Sequence, residues 1–295
     1  MAVGRPRVLA PRAPRVTSRW LKKDLTCSPP RVVFIDICNL CGLRCPYCPT
    51  GRRDRSFPHR AMTAETFSLL LEKTAPIAEV VNLHNWGEPS LNPEFFEIVA
   101  LARRAGLRVH TDSNFQFKAL EPAEAERLVR SGLTSLYASI DGVSQAAYER
   151  YRVGGDLALA MHNLRRVAEA RERTRSPLEL VWKFLVHRHD EHEMEAAVRL
   201  ADELGVAITF QLLSTDGNAD WLSSYHERVD RLAPGERLET MLAGRAFAIG
   251  WHNHLPTSRY LGRRAQGLDS APPRLPRKFP VPVESLVLDS RMPWC

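Results

Sequence analysis

No stretch of this 295-residue chain approaches the roughly 18 to 20 consecutive apolar residues of a helical membrane span. Its 44% hydrophobic content is therefore free to build one large core and an appendage. Cysteine is absent between Cys48 and the last residue, Cys295, so no second cysteine pair answers the first. Four of the six cysteines fall from Cys38 to Cys48, which argues against a disulfide framework and for a reducing, cytoplasmic compartment. Acidic residues are missing from the first 23 positions, which carry seven Arg or Lys interleaved with Pro6, Pro11 and Pro14. Such a segment cannot bury enough apolar surface to fold. Residues 1–27 read as a basic disordered tail; a mitochondrial transit peptide shares the composition, but the prolines interrupt an amphipathic helix. The net charge of +7 suits RNA or an anionic peptide partner, although arginines scattered along helices are ordinarily a solvated face.

What is present from Arg31 onward is an alternation of short apolar runs with amphipathic stretches. Strands are expected at 32–35, 79–84, 107–110, 135–140, 178–186 and 206–211. Helices are expected from Thr63 through Leu71 with Thr63 as N-cap, and from Asn92-Pro93 to Gly106 with Asn92 as N-cap and Pro93 at the first helical position. Others are expected at 122–131, 157–173 and 191–204, the last capped by Asp190 and closed by Gly205. Strand–helix alternation at this spacing calls for parallel βαβ units. Six units suit a partial (βα)6 barrel or an open doubly wound sheet, and periodicity does not choose between them. Residues 28–215 form this core. Residues 216–295 read as an extension, helical over Trp221 to Phe247 and a Pro/Arg-rich loop over Ala271 to Pro282.

The run Cys41-Gly42-Leu43-Arg44-Cys45-Pro46-Tyr47-Cys48 places three thiols as C-x3-C-x2-C straight after the first strand. Cubane iron–sulfur clusters are normally held by four cysteines. Three would leave one iron without a protein ligand, and a metal with an open position is a place for chemistry. The competing reading is zinc, for which His59 is the nearest fourth donor; structural zinc prefers two separated pairs. Cys38 heads a similar Cys-Asn-Leu, but its spacing to Cys45 is too long, and it reads as a buried strand-end thiol.

This motif resembles that of the radical S-adenosylmethionine (SAM) superfamily, and motifs at later strand ends carry the resemblance along most of the chain. The resemblance implies a partial (βα)6 TIM-like barrel with function at the carboxyl ends of its strands. It also implies one [4Fe–4S] cluster on Cys41, Cys45 and Cys48, with the open iron chelated by the methionyl moiety of SAM. His84-Asn85-Trp86-Gly87-Glu88-Pro89 is similar to the family's GGEP motif, with Trp86 for the first glycine; Trp86, Gly87, Glu88 and Pro89 are expected around the methionyl ammonium. Ser113-Asn114 stands where the family has a Ser/Thr-Asn pair. Ser139-Ile140-Asp141-Gly142 matches the SIDG motif of the branch containing anaerobic sulfatase maturases and SPASM-domain enzymes, which implies cofactor contacts for Ser139 and Asp141. Tyr148 and Arg152 follow where that branch often has an arginine facing the SAM carboxylate; a surface helix-end arginine is the alternative. Tyr47 precedes the last cysteine, and Lys183 is an unusual charge within strand five, whose apolar residues would back the adenine. His189 and His192 fall in a stretch resembling the branch's N-E-x-E helix start and read as solvated.

SPASM enzymes continue into a cysteine-rich domain with auxiliary clusters. Here Leu286 to Cys295 resembles the segment introducing its first cysteine, so an auxiliary cluster held by this chain alone is not expected. The resemblance implies reductive SAM cleavage to a 5′-deoxyadenosyl radical, an external flavodoxin- or ferredoxin-type reductant, and a peptide or sugar-like substrate. An RNA-modifying enzyme using the basic tail, and an iron–sulfur or SAM-binding partner without turnover, are the other readings. Cys295 could donate a hydrogen atom to a substrate radical if the C-terminal segment folds over the barrel mouth; a frayed terminus is the alternative.

Overall fold

The computed structural model describes residues 32–251 except 55, 57–58, 216–217 and 233–236. Two compact units divide the chain. One comprises residues up to Phe184 with His192–Thr209; the other comprises Leu185–Glu191 with the residues from Phe210.

In the first unit, five strands pair in parallel in chain order: β1 (Val32–Phe34), β2 (Val80–Asn82), β3 (Arg108–Ser113), β4 (Ser135–Ser139) and β5 (Glu179–Val186). A helix covers each return: α1 (Ala64–Thr74), α2 (Phe95–Arg104), α3 (Pro122–Val129), and the pair α4 (Gln145–Tyr151) and α5 (Leu157–Thr174). This is the βαβ repeat expected of strands buried on both faces. Strand β5 shows that burial as a continuous apolar run broken by Lys183. The helices bury one stripe each, Ala64, Phe67 and Leu71 on α1 and Phe95, Ile98, Val99 and Ala102 on α2. Thr63 caps α1 as expected, its Oγ1 accepting from Thr66 N–H at 3.2 Å.

Three local expectations are corrected. Helix α2 begins at Phe95 rather than at Asn92-Pro93, although the Asn92 Oδ1 does accept from Glu94 N–H at 2.8 Å just ahead of it, while its Nδ2 donates to the carbonyls of Ile37 (2.8 Å) and Met62 (2.9 Å). Asp190 is no helix cap. It lies buried against His187, accepting from the His187 backbone N–H at 2.8 Å with the ring Nε2 3.0 Å away, and α6 (Met194–Glu203) starts after a 3-10 turn. Helix is confined to α7 (Ser224–Asp230) among the described residues of 221–247. In the second unit the Phe210–Leu212 end of β6 (Ala207–Leu212) pairs in parallel with β8 (Arg245–Trp251), and β7 (Leu238–Leu242) pairs antiparallel with β8. The β7–β8 loop is Ala243-Gly244, both with positive φ (50° and 78°), the geometry of a two-residue hairpin turn.

Candidate active site at the strand ends

The cysteine loop leaves the sheet at the end of β1 and is closed at its neck. Ile35 and Ile37 extend the pairing to β2 through the carbonyls of Asn82 (2.8 Å) and Leu83 (3.4 Å), while Cys38 bridges Ala61. Cys38 is 1% exposed, the core thiol expected. Within the loop, Cys48 N–H donates to the Cys45 carbonyl at 3.2 Å, and Arg44 N–H to the Val153 carbonyl at 2.9 Å. A Cβ on Gly51 would lie 2.5 Å from the Cys45 carbonyl oxygen, so the loop tolerates no side chain there.

Burial pushes the Cys41 thiol up and the Cys45 thiol to about 12. Thiols so placed ionise when a metal is there to take the thiolates. The Cys41 sulfur accepts from Leu43 N–H (3.4 Å) and from the Asn114 amide (3.3 Å). The Arg152 guanidinium favours a Cys45 thiolate. The donor set therefore fits a cluster. A single tetrahedral zinc, with Zn–S near 2.3 Å, would draw sulfurs to about 3.8 Å of one another. Among the described residues, the three ligand atoms found within 4.8 Å of one another belong to His84, His110 and Asp112 rather than to the thiols. His59, the candidate fourth zinc donor, has its ring nitrogens at the carbonyls of Asn39 (3.2 Å) and Asp54 (2.8 Å).

The bend after β2 packs onto this loop. Gly87 has φ 94°, and a Cβ there would meet the Cys38 carbonyl oxygen at 2.4 Å; Glu88 N–H donates to the Leu40 carbonyl at 2.8 Å. Half-buried Trp86 precedes Gly87, its backbone N–H on Asp36 Oδ2 at 3.2 Å, and buried Pro89 opens a 3-10 turn. The Glu88 carboxylate is turned inward. Its Oε1 accepts from Ser90 N–H (3.1 Å) and Oγ (2.6 Å), and its Oε2 accepts from Asn114 N–H (2.7 Å). Glu88 thus ties the end of β2 to the end of β3, where Ser113 Oγ accepts from Phe115 N–H at 3.1 Å.

Asp36 was not singled out by its sequence. Burial raises its carboxyl to about 7, against the lowering effect of N–H bonds from Trp86, Cys38 and Asn85. The folded chain then keeps, between about pH 4 and pH 7, a proton the unfolded chain has lost. Stability falls as pH rises through that window, by roughly 4 kcal/mol at about 1.4 kcal/mol per pH unit. Asp36→Asn should therefore gain stability relative to the unaltered chain between about pH 4.5 and pH 7.5 in urea titrations. A difference independent of pH would show that another group titrates.

Past β4, Asp141 is fully buried and its Oδ2 accepts from Arg152 Nε at 2.5 Å. Arg152 stands at the C-terminal cap of α4, but its side chain is only 11% exposed, which excludes the surface alternative. The turn between them is clamped by Glu193, whose Oε2 accepts from Val143 N–H (2.6 Å) and Ser144 N–H (3.2 Å). That residue belongs to the N-E-x-E-like stretch and was legible only as part of a helix start. Ser139 stands beside Lys183 in the β4–β5 register. Lys183 is buried against Asp112, and burial pulls its ammonium down to about 7. Tyr47 is half-buried between Cys45 and Cys48; Tyr148 is fully buried beneath the turn. His189 is half-buried and His192 exposed, whereas His187 is fully buried. Cys295 and the segment from Leu286 lie outside the described residues.

The sequence model of the radical SAM superfamily matches residues 35–201, more than half of the chain. The chain belongs to that superfamily. Radical SAM proteins use a [4Fe–4S] cluster and SAM, and the α/β fold seen here is their partial barrel. The chain is 31% identical over 179 residues to the PqqA peptide cyclase of Gluconobacter oxydans, covering 60% of this chain and 48% of the relative. It is 25% identical to the mycofactocin maturase MftC of Mycobacterium ulcerans, covering 64% and 54%. It spans about half the length of these curated relatives. Among solved structures, Streptococcus suis SuiB bound to S-adenosylmethionine superposes with a TM-score of 0.55 at 13% identity, over 67% of this chain and 44% of SuiB. That likeness shows the fold. No helix among the described residues is long and apolar enough to cross a membrane.

Proposed function

We propose that this chain is a radical SAM enzyme that abstracts hydrogen from a carbon of a peptide or carbohydrate-like substrate. The observation that carries the reading is the meeting at Cys41: its sulfur takes the Asn114 amide, while Asn114 N–H is held by Glu88 of the Gly-Glu-Pro bend. Three strand-end motifs far apart in sequence thus converge on one thiol. When bound, the cluster on Cys41, Cys45 and Cys48 supplies the electron that splits SAM into methionine and a 5′-deoxyadenosyl radical.

The chain's own residues bind and orient. Backbone carbonyls of Trp86 and Gly87 receive the methionyl ammonium, with Glu88 and Pro89 fixing the bend. Arg152, aimed by Asp141, takes the methionyl carboxylate, for which a planar fork is suited. Ser113, Asn114 and Ser139 would offer hydrogen bonds to the ribose side, and Tyr47 and Lys183 would contribute to holding the cofactor. A cytoplasmic setting with a flavodoxin- or ferredoxin-type donor completes the reading. A peptide substrate is favoured over a sugar because the relatives include a peptide cyclase.

The test is anaerobic reconstitution followed by dithionite and SAM. One [4Fe–4S] cluster per chain and release of 5′-deoxyadenosine with methionine are expected; stoichiometric zinc with negligible iron would overturn the reading. Glu88→Ala and Ser139→Ala should keep the cluster but weaken SAM binding. A lost buried charge-assisted bond costs roughly 1.5 to 3 kcal/mol, or about ten- to a hundred-fold in affinity. Unchanged affinity in both variants would move the pocket elsewhere.

A further inference from the structure

One side-chain cluster is left unused by this reading. His84 follows β2, while His110 and Asp112 stand two apart on β3 and so share a face. Lys183 on β5 reaches Asp112 on β3 across β4. Side chains two strands apart meet in this way on the concave face of a curved sheet, which places the cluster in the barrel lumen.

We propose that His84, His110 and Asp112 form a divalent-metal site in the lumen, suited to a borderline first-row ion such as zinc. Their ligand atoms lie within 4.8 Å of one another. His84 Nε2 is 3.3 Å from Asp112 Oδ2, and His110 Nε2 is 3.0 Å from Asp112 Oδ1. In both imidazoles the other nitrogen is already engaged. His84 Nδ1 lies 2.7 Å from Asn82 Oδ1, with the Asp112 backbone N–H directed at it from 3.2 Å, and His110 Nδ1 lies 2.7 Å from Ser135 Oγ. Bonds of that kind orient histidines that ligate through Nε2. Burial, with the Lys183 charge nearby, holds both rings below the usual histidine range, in the neutral form that ligates. Two histidines and one carboxylate leave coordination positions open. The histidine side chains keep 17% and 19% exposure. The ligand class for the open positions is an oxygen donor of the substrate, a carbonyl or carboxylate. The Lys183 ammonium against Asp112 is the internal cation that a metal must displace.

The cluster-loaded full chain is dialysed against zinc chloride with a weak chelator. Zinc is then counted by mass spectrometry, and its surroundings are read by X-ray absorption. One zinc per chain is expected, with nitrogen and oxygen neighbours at about 2.0 to 2.1 Å and imidazole scattering. His84→Ala and His110→Ala should each lose the zinc yet keep the cluster iron and sulfide. Ser135→Ala should bind roughly ten- to a hundred-fold more weakly, an effect that mere packing would not produce. Lys183→Met should bind zinc more tightly, and zinc should raise its melting temperature. Sulfur neighbours at about 2.3 Å, zinc retained by both histidine variants, or binding by Lys183→Met alone would each overturn the proposal, as would no binding at all. Cluster content and SAM cleavage report separately on the cysteine loop, so this site can fail while the proposed function stands.

Discussion

Replacing Cys41, Cys45 or Cys48 with alanine is expected to abolish SAM cleavage, whereas Cys38→Ala should retain it. On the proposed assignment each of the three sulfurs anchors the cluster, and no other thiol lies between Cys48 and Cys295 to substitute. Loss of one anchor should remove the visible absorption of the cluster together with iron and sulfide, and 5′-deoxyadenosine should fall to background. Cys38 differs in kind. It contributes its backbone to the bridge with Ala61 and its sulfur to the core, at 1% exposure. Alanine keeps the backbone and removes one buried atom, so a modest loss of stability is the whole expected effect. A Cys41→Ala chain that still held its cluster, beside a Cys38→Ala chain that did not, would move the first ligand to Cys38.

The parts of this site that were legible in the sequence are those encoded locally. A thiol spacing, a Gly-Glu-Pro bend and a threonine cap each act within a few residues, so their neighbours identify them. The parts that were not legible depend on partners far along the chain. Asp36 matters because the amides of Asn85 and Trp86, about fifty residues on, need an acceptor. Glu193 matters because the turn after β4 needs one too, again about fifty residues away. Asn92 was legible for its cap-like Oδ1, which accepts from Glu94 N–H, but not for the tertiary bonds of its Nδ2 to Ile37 and Met62. The hairpin at Leu238 to Trp251 was hidden for a different reason. Its turn uses Ala243 at φ 50°, where asparagine or aspartate would have advertised the geometry. Periodicity could not separate a barrel from a flat sheet, since both repeat β and α alike. The reach of Lys183 over β4 to Asp112 is the kind of feature that only curvature supplies.

Arg152→Ala is expected to be the most damaging single change outside the cysteines. Asp141 is fully buried, and removing the Arg152 guanidinium takes away the cation that its carboxylate accepts from, at about 3 to 5 kcal/mol. The same guanidinium favours the Cys45 thiolate, so its loss should push that thiol still higher and slow cluster loading at neutral pH. Stability and cofactor binding can be separated. Pairing Arg152→Met with Asp141→Leu removes both charges together and should recover much of the urea midpoint, because a buried ion pair replaced by apolar residues is often nearly neutral. If Arg152 also grips the methionyl carboxylate, SAM affinity stays low in that double variant although folding has returned. Arg152→Lys should fall between, keeping a charge for Asp141 but losing the planar fork. Affinity that recovers together with stability would reduce Arg152 to a brace for the turn after β4. The carboxylate of SAM would then have to be held from elsewhere.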